Sequence, residues 1–256
     1  MATNDRILIT GAAGNLGRKL RQHLDGRYQA VCLDRDARMQ PSITVADLAQ
    51  WNLDWVRLFA GIDTVFHFAA DPEAYHDWPE LIGPNVDALI HVFQAAILGR
   101  VRRFVFASSN HVMGGYQDDP GVRLTTDLPP RPGLRYVVDG QPRNSSAYGA
   151  AKLFGERLGR CCAESSGMEV IAVRLGWVWR GGDNLPANLP RERGDWFRLM
   201  WLSDRDFTQL MERCLQATLP TPFVIVNGMS ANTGMAWDLD STCRILGYEP
   251  QDDVTR

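Results

Sequence analysis

A tyrosine and a lysine four positions apart have the side chains needed for proton transfer. Tyr148 and Lys152 lie in a segment, residues 147–162, whose pattern predicts a helix, and positions i and i+4 of a helix share one face. A lysine ammonium beside a phenol favours the phenolate and lowers the pKa of the phenol. The tyrosine could then take a proton from a substrate hydroxyl while a hydride leaves the same carbon. The motif is weak in isolation, because a surface helix also produces it by chance.

Three glycines near the N-terminus predict a phosphate-binding turn. Gly11, Gly14 and Gly17 follow an apolar run, residues 6–10, and open a helical pattern over residues 15–24. Gly11 permits a tight turn, Gly14 lets a pyrophosphate approach the backbone, and Gly17 allows the helix and strand to pack closely. Free amide groups at the helix N-terminus would face the phosphate charge. The spacing therefore indicates a dinucleotide site.

An acidic residue at the end of the next strand favours NAD as the dinucleotide. Asp34 follows the apolar run 30–33, where a carboxylate accepts hydrogen bonds from the adenosine ribose and repels a 2′-phosphate. Arg35 comes next in the chain and could accept that phosphate, so NADP remains an alternative. An ordinary turn residue at a strand end is the other interpretation of Asp34.

The elements that must position these residues alternate along the chain. Short apolar runs separated by helical patterns of ten or more residues indicate βαβ units and a parallel sheet covered by helices on both faces. The predicted fold is α/β, a Rossmann-type doubly wound parallel sheet. The predicted strands are 6–10, 30–33, 64–68, 104–107, 170–175 and 223–227, and the predicted helices are 15–24, 51–59, 86–98, 147–162, 203–217 and 240–246.

We predict one domain over residues 1–256, because no linker divides the chain. Residues 176–256 follow the fifth strand with a less regular pattern and are expected to contribute a small substrate-binding cap. Residues 114–146 form a long polar stretch with several prolines. A connection of this length within a compact domain indicates a lid, a binding loop or disorder.

Composition excludes several classes of protein. Hydrophobic residues make up 45% and charged residues 22%, as in ordinary globular domains. The net charge of −3 gives no electrostatic reason to expect nucleic acid or an anionic membrane as a partner. The N-terminus has no signal-peptide pattern, so a cytoplasmic location is expected. The five cysteines include no Cys-x-x-Cys pair, and no metal site is predicted.

The combined motifs resemble the extended short-chain dehydrogenase/reductase family. The resemblance rests on the three glycines, on Ser109 after the fourth strand, and on Tyr148 and Lys152. It extends to Asp47-Leu48, which would contact the adenine, and to Arg174-Leu175-Gly176 at the end of the fifth strand. The resemblance implies a cofactor site made of Gly11, Gly14, Asn15, Leu16, Gly17, Asp34, Asp47, Leu48, Phe68, Ala69, Ala70, Asn85, Tyr148 and Lys152.

Within that family, the segment Ser109-Asn110-His111 resembles the uronate dehydrogenases and related NAD-dependent sugar dehydrogenases. The segment 196–207 is similar to the one that supplies the arginine for the substrate carboxylate, here Arg198. The resemblance implies oxidation of a hexuronic acid at C1 to an aldarolactone. Tyr148 would be the base, Lys152 would lower its pKa and hold the nicotinamide ribose, and Ser109 would orient the reacting hydroxyl. Asn110, His111 and Arg198 would hold the sugar.

Three segments depart from the uronate dehydrogenase pattern, all near the expected sugar. The loop before Tyr148 carries extra residues over 131–146, residues 71–78 replace a segment with a substrate-binding serine, and Trp177 replaces a small or polar residue. Alternatives also remain for single residues. His111 could make only a structural hydrogen bond, and Arg198 could be a solvated surface residue. The tryptophans could pack in the core or form a wall under a sugar ring; they are Trp177, Trp179, Trp196 and Trp201.

Two other function classes remain as alternatives. One is a nucleotide-sugar epimerase or dehydratase, although such enzymes usually need a larger C-terminal domain than residues 176–256 provide. The other is a non-catalytic dinucleotide-binding protein, although these typically lose the tyrosine or the lysine, and this chain has both. The expected partner is a small sugar or sugar acid, and a homo-oligomer remains open.

Overall fold

A seven-stranded parallel sheet forms the centre of the computed structural model, which describes residues 5–119, 121–138, 140–180 and 182–256. The strand order is β3-β2-β1-β4-β5-β8-β9, and β6 and β7 form a separate antiparallel hairpin. This sheet confirms the predicted fold class. The strands are β1 (Arg6–Thr10), β2 (Gln29–Asp34), β3 (Ile43–Val45), β4 (Thr64–His67), β5 (Arg103–Ser109), β6 (Arg135–Val138), β7 (Gln141–Asn144), β8 (Glu169–Leu175) and β9 (Phe223–Gly228).

Helices cover both faces of the sheet. The longest, α5, carries the Tyr148–Lys152 pair and ends at Gly167, whose φ of 75° suits a glycine. The α-helices are α1 (Asn15–Leu24), α2 (Leu53–Val56), α3 (Trp78–Leu81), α4 (Ala88–Leu98), α5 (Ser146–Ser166), α6 (Gly194–Leu199), α7 (Asp204–Gln216) and α8 (Asp240–Leu246). A π-helical stretch, Ile82–Asp87, joins α3 to α4, and a 3₁₀ stretch, Asn110–Tyr116, follows β5.

The apolar strands are buried on both faces, which is why they read as continuous hydrophobic runs. Ile7 and Ile9 of β1 point into one core cluster, while Leu8 between them points into the other. Strand β1 pairs with β2 on one side and β4 on the other, so the chain changes direction along the sheet at this point. Open parallel sheets bind ligands in the crevice beyond the strand ends at such a switch. The fold therefore places the glycine-rich turn at the crevice.

The C-terminal residues complete the sheet as well as capping it. Strand β9 pairs with β8 in parallel over six residues. Phe207 and Leu210 of α7 are fully buried in the same core cluster as Ile7 and Ile9. Arg103 of β5 donates hydrogen bonds to the carbonyls of Cys214, Leu215 and Ala217 at the C-terminal end of α7. Residues 176–256 are thus integrated with the sheet in addition to any substrate contacts they make.

Several elements differ from the expectations. The helix expected over 51–59 is a short α2 followed by a 3₁₀ turn, and β3 and α6 were not expected. The long polar segment 114–146 contains the β6–β7 hairpin. These elements are short or rich in polar residues, so they lack the hydrophobic period on which a sequence prediction depends.

One apolar segment, Trp78–Leu98, is long and apolar enough to cross a membrane by length and composition alone, with 44% of its residues buried. Val92, Phe93 and Ala96 of this segment are fully or almost fully buried in the second core cluster. A core helix that packs on a sheet satisfies the same length and composition criterion, so the segment is weak evidence for a membrane span.

Candidate active site

The glycine-rich turn after β1 forms a cradle with exposed amides. Gly11 has a φ of +67°, and a side chain there would place Cβ 2.7 Å from the nitrogen of Ala69. A Cβ at Gly17 would lie 2.2 Å from the Gly11 carbonyl oxygen, so this glycine permits the close approach of α1 to the turn. Gly14 is the N-cap of α1 and provides no side-chain cap. The first amides of the helix are therefore available to an anion.

The acid at the end of β2 faces the same cradle. Asp34 Oδ2 accepts a hydrogen bond from the Ala13 amide at 2.9 Å, and Oδ1 accepts one from the Asp36 amide at 3.2 Å. Each carboxylate oxygen retains acceptor capacity for ribose hydroxyls. Arg35 and Arg38 line the same end of the cleft, so basic side chains also lie within this region.

A continuous cleft of about 1070 Å³ joins the cradle to the Tyr148–Lys152 pair. This volume exceeds the usual pocket for one small ligand and suits a dinucleotide with a second molecule beside it. Most of the predicted residues line it: Gly11, Gly14, Asn15, Leu16, Asp34, Asp47, Leu48, Phe68, Ala69, Ala70, Ser109, Asn110, His111, Tyr148 and Lys152.

Tyr148 and Lys152 lie on the cleft face of α5, as the spacing predicts. Lys152 Nζ lies 5.6 Å from the Tyr148 ring centroid and donates a 2.9 Å hydrogen bond to the Ala107 carbonyl of β5. Burial lowers the Lys152 pKa to about 8. The ammonium form is therefore retained at neutral pH, and a backbone carbonyl orients it.

Burial raises the pKa of Tyr148 to about 12, in the direction opposite to the expectation. A hydrogen bond with Ser109 and the charge of Arg180 lower the pKa, whereas Asp71 and Glu73 raise it. Desolvation of the phenolate is the largest of these effects, because the hydroxyl lies in the interior of the cleft. Desolvation therefore dominates at Tyr148, and the lowering of its pKa by Lys152 stays a prediction.

A buried ion pair holds α5 against the sheet one turn beyond Lys152. Glu156 accepts two hydrogen bonds from Arg174 of β8, both at 2.8 Å, and a third from the Ser108 hydroxyl of β5 at 2.7 Å. Glu156 and Arg174 are almost fully buried. The pair therefore joins α5, β5 and β8 behind the reactive side chains.

The 3₁₀ stretch after β5 presents two further side chains to the cleft. Asn110 donates to the Leu175 carbonyl at 2.9 Å, while its buried Oδ1 has no partner among the described residues. His111 contacts Tyr148 edge-on at 5.4 Å between ring centroids. Its Nδ1 lies 2.6 Å from the Ser145 hydroxyl. Burial lowers the His111 pKa to about 3, so the imidazole is neutral.

The end of the cleft beside Tyr148, where the sugar is expected and which we call the sugar end, contains charged residues that sequence reasoning did not assign. Asp71 is paired with His76, whose pKa this hydrogen bond raises, and Glu73 is paired with Arg180 across the cleft. Arg193 lies over the rings of Tyr136 and Phe197, at 5.4 and 5.8 Å from their centroids. The acidic residues and His76 follow β4, whereas Arg180 and Arg193 follow β8, so their spacing in the chain gave no signal that they meet. The prolines and length of segment 114–146 were the only hint of Tyr136.

Aromatic side chains form a wall at the same end. Trp177 packs edge-on against Trp179 and Phe197, with centroid distances of 5.5 Å in both cases. Trp177 and Trp179 line the cleft. Trp201 is buried in a small separate cluster, and Trp196 packs against Trp237 instead. Two of the four tryptophans are thus in position to contact a sugar ring.

Arg198 does not line the cleft, so the structure does not support the role predicted for it. It follows Phe197 on α6, and consecutive helical positions are rotated by about 100°. Phe197 lines the cleft, and Arg198, at the next helical position, does not. The arginines that do line this end are Arg180 and Arg193.

Two residues predicted to bind the cofactor also lie behind the cleft surface. Gly17 packs against the Gly11 carbonyl and is separated from the cleft by the turn. Asn85 accepts from the Asp71 amide at 2.6 Å and donates to the Asp71 carbonyl at 3.1 Å. The oxygen and the nitrogen of the Asn85 side-chain amide are therefore both engaged in holding the Asp71 loop.

Within the described ranges, no cluster of His, Cys, Asp and Glu side chains could hold a metal ion.

Comparisons with known proteins agree with this architecture. The model of the NAD dependent epimerase/dehydratase family matches residues 7–179. An L-arabinose 1-dehydrogenase (NAD(P)(+)) of Haloferax volcanii is 33% identical over 97% of this chain and 97% of its own. A uronate dehydrogenase of Pseudomonas putida is 32% identical over 97% of this chain and 84% of its own. A uronate dehydrogenase from Agrobacterium tumefaciens, solved with NAD, has a TM-score of 0.78 and 30% identity and covers 99% of this chain and 87% of its own.

The chain belongs to the NAD-dependent epimerase/dehydratase family. This membership confirms the predicted family and NAD as the predicted cofactor. The cradle also fits the cofactor on its own geometry: glycines stand where any Cβ would close the turn, and unpaired amides and Asp34 face the cleft. The pyrophosphate would lie at the N-terminus of α1 and the adenosine ribose at Asp34.

Proposed function

We propose that the protein oxidises a hexuronic acid at C1 to the aldarolactone, with NAD as the hydride acceptor. The relatives include dehydrogenases of a neutral pentose and of uronates at nearly equal identity. Their names therefore leave the substrate open, and the cleft geometry must decide. The observation that supports a uronate is Arg193, a guanidinium at the sugar end that forms no ion pair with the described residues.

The side chains around Tyr148 suit removal of a proton from a sugar hydroxyl. The Ser109 hydroxyl interacts with the Tyr148 hydroxyl, so Ser109 can orient the substrate oxygen between them. Tyr148 accepts the proton of the C1 hydroxyl. The Lys152 ammonium is fixed by Ala107, and it stabilises the phenolate and can bind a ribose hydroxyl of the cofactor. Bound NAD would supply the acceptor for the hydride that leaves C1.

Charge at the sugar end favours a carboxylate near Arg193. Asp71 is paired with His76, and Glu73 is paired with Arg180. The Glu73–Arg180 pair is neutral and Asp71 is hydrogen-bonded to His76, whereas the Arg193 guanidinium forms no ion pair with the described residues. A guanidinium fork binds a carboxylate through two parallel hydrogen bonds. The rings of Tyr136 and Phe197 restrict its motion and lower the entropy that binding costs.

A neutral aldose is the second candidate. The pairing of Glu73 with Arg180 places a carboxylate and a guanidinium together at the sugar end, where both can bind sugar hydroxyls. A nucleotide sugar has less support, because residues 176–256 pair into the sheet through β9 and pack α7 into its core. A cytoplasmic location, a single domain and a homo-oligomeric state remain predictions.

Two arginine variants test the proposal. We expect NADH formation with uronates to exceed that with matching aldoses. Arg193→Ala should lower kcat/KM for the uronate about ten- to a hundredfold, as expected for loss of a charge-assisted contact, and should change aldose oxidation little. Arg198→Ala is the matched control on the same segment and should leave both reactions unchanged. Preference of the wild-type enzyme for the aldose, or an equal loss with both substrates in Arg193→Ala, would overturn the uronate assignment.

A further inference from the structure

Ser145, immediately before α5, places its hydroxyl between a backbone amide and an imidazole. Ser145 is fully buried. Its Oγ accepts a hydrogen bond from the Leu134 amide at 2.8 Å and lies 2.6 Å from His111 Nδ1. A serine at a helix N-cap usually accepts a bond from an amide of its own helix. Ser145 makes no such bond, so its hydroxyl serves the two neighbours instead.

The arrangement determines where the Ser145 proton goes. A hydroxyl has one proton and two lone pairs. The Leu134 amide occupies one lone pair, and His111 Nδ1 is the only other polar atom bonded to this hydroxyl among the described residues. If Nδ1 carried a proton, the buried hydroxyl proton would have no acceptor, which is costly. The proton therefore points to Nδ1, and Nδ1 is unprotonated.

The other imidazole nitrogen must then carry the proton. His111 is neutral because its burial disfavours the imidazolium. A neutral imidazole with an unprotonated Nδ1 has its proton on Nε2. Nε2 has no partner among the described residues, and His111 lines the cleft beside Tyr148. The side chain thus offers one N–H donor to a ligand.

We infer that Ser145 is a positioning residue, which fixes His111 as the Nε2–H tautomer so that the imidazole donates a hydrogen bond to a sugar oxygen in the cleft. The donor serves a hydroxyl or ring oxygen and not the carboxylate, which Arg193 serves. This role rests on the proposed sugar oxidation for its ligand, but the tautomer itself does not depend on it.

The tautomer can be measured directly on the wild-type protein. Nitrogen-15 NMR of the imidazoles distinguishes the two neutral forms, and the His111 signals are identified by their loss in His111→Gln. We expect the Nε2–H form alone at pH 6 to 8 in the wild type, and a mixture of forms in Ser145→Ala. Ser146→Ala, an exposed neighbour, should leave the His111 signals unchanged. An Nδ1–H form in the wild type would overturn the inference.

Kinetics separates this role from simple support of the Leu134 loop. Ser145→Ala should raise KM for the sugar about three- to tenfold, the effect of weakening one neutral hydrogen bond, with kcat and KM for NAD changed less than about twofold. Ser145→Thr, which retains a hydroxyl, should restore most of the loss. In a His111→Gln background, the glutamine amide donates without help from Ser145, so Ser145→Ala should then have little further effect.

Two outcomes of the kinetic test count against the inference. An equal rise in KM in both backgrounds would mean that Ser145 acts through the loop and not through His111. A parallel loss of NAD binding would mean the same. Failure of the wild type to oxidise any sugar would overturn the proposed function instead, and the NMR result would still decide the tautomer.

Discussion

Tyr148 is buried beside charged groups of both signs, and this environment controls its titration. Its pKa is raised to about 12, mainly by desolvation, so the phenol is the dominant form at neutral pH. At pH values below this pKa, the fraction of phenolate therefore increases about tenfold for each unit by which the pH rises. Lys152, with its pKa lowered to about 8, keeps its ammonium below that pH. We expect kcat/KM for sugar oxidation to rise from pH 6 to 8, as measured by NADH absorbance.

Replacing Tyr148 by Phe tests whether this hydroxyl is the base. The ring and its contact with His111 remain, while the ionisable oxygen is lost. We expect kcat to fall at least about a hundredfold, as for removal of a general base, and the rise with pH to disappear. NAD binding, followed by fluorescence titration, should stay nearly unchanged. Substantial turnover with the same pH dependence would assign the base to another group.

At the other end of the cleft, we predict that Asp34 controls the choice between NAD and NADP. Its carboxylate is anchored by the Ala13 and Asp36 amides, and Arg35 and Arg38 lie in the same region. Asp34→Ala removes ribose acceptors and the repulsion of a 2′-phosphate. We expect KM for NAD to rise about tenfold. The ratio of kcat/KM with NAD to kcat/KM with NADP should fall.

Arg35→Ala is a control variant whose expected effect is on the use of NADP and not on that of NAD. It should weaken any use of NADP and affect NAD little, because NAD lacks the ribose 2′-phosphate that the guanidinium would bind. Steady-state kinetics with both cofactors measures both variants. A wild-type protein that already prefers NADP would assign control to the arginines and not to Asp34.

At the scale of single elements, α5 combines the reactive residues with their support. Tyr148, Lys152 and Glu156 recur every four residues and so share one face. Glu156 forms the buried pair with Arg174 and accepts from Ser108. The pair therefore fixes the rotation of the helix relative to β5 and β8.

Removal of one partner from this pair should be costly. Glu156→Ala leaves the Arg174 guanidinium buried without a counter-charge, which typically destabilises a protein by about 3–5 kcal/mol. We expect that loss in the free energy of unfolding from urea denaturation. Glu164→Ala on the same helix removes an exposed contact with Arg160 at 3.8 Å and should change stability by less than about 0.5 kcal/mol. Equal effects of the two substitutions would contradict the structural role of the buried pair.

Sequence patterns predicted the elements whose signals are local. Six of the seven strands of the main sheet contain a predicted apolar run, and the glycine turn and the Tyr148–Lys152 pair depend on spacings within one turn or helix. The β6–β7 hairpin lacks such a pattern: it contains Pro142 and exposed polar residues, and Tyr136 packs on Phe197 from a distant segment. Tertiary contacts of this kind override local propensity.

The substrate end of the cleft was the least predictable part for the same reason. Glu73 follows β4 whereas Arg180 and Arg193 follow β8, and only the folded chain brings them together. Arg198 was favoured by a matching segment, but a shift of a few positions on a short helix changes the face on which a side chain lies. Segment similarity pointed to Arg198, which does not line the cleft, and did not point to Arg193, which does.

At the scale of the whole molecule, one core joins the two ends of the chain. The main core cluster runs from Ile7 in β1 to Tyr248 near the C-terminus and includes Phe207, Leu210 and Val226, all fully or almost fully buried. Strand β9 pairs with β8 inside the sheet. The C-terminal region therefore shares the main core, and its own separate cluster among the described residues is small, made of Leu189, Trp201 and Val254.

We therefore expect the chain to unfold as one cooperative unit, although its length exceeds that of most two-state domains. Calorimetry should show a single transition, and NAD should raise its midpoint because the cofactor binds only the folded form. Leu210→Ala, in α7, should destabilise the protein by about 2–5 kcal/mol by leaving a cavity. It should lower the midpoint seen by tryptophan fluorescence and that seen by loss of NAD binding by the same amount. Two separate transitions, or a Leu210→Ala effect confined to one probe, would show that residues 176–256 form an independent unit.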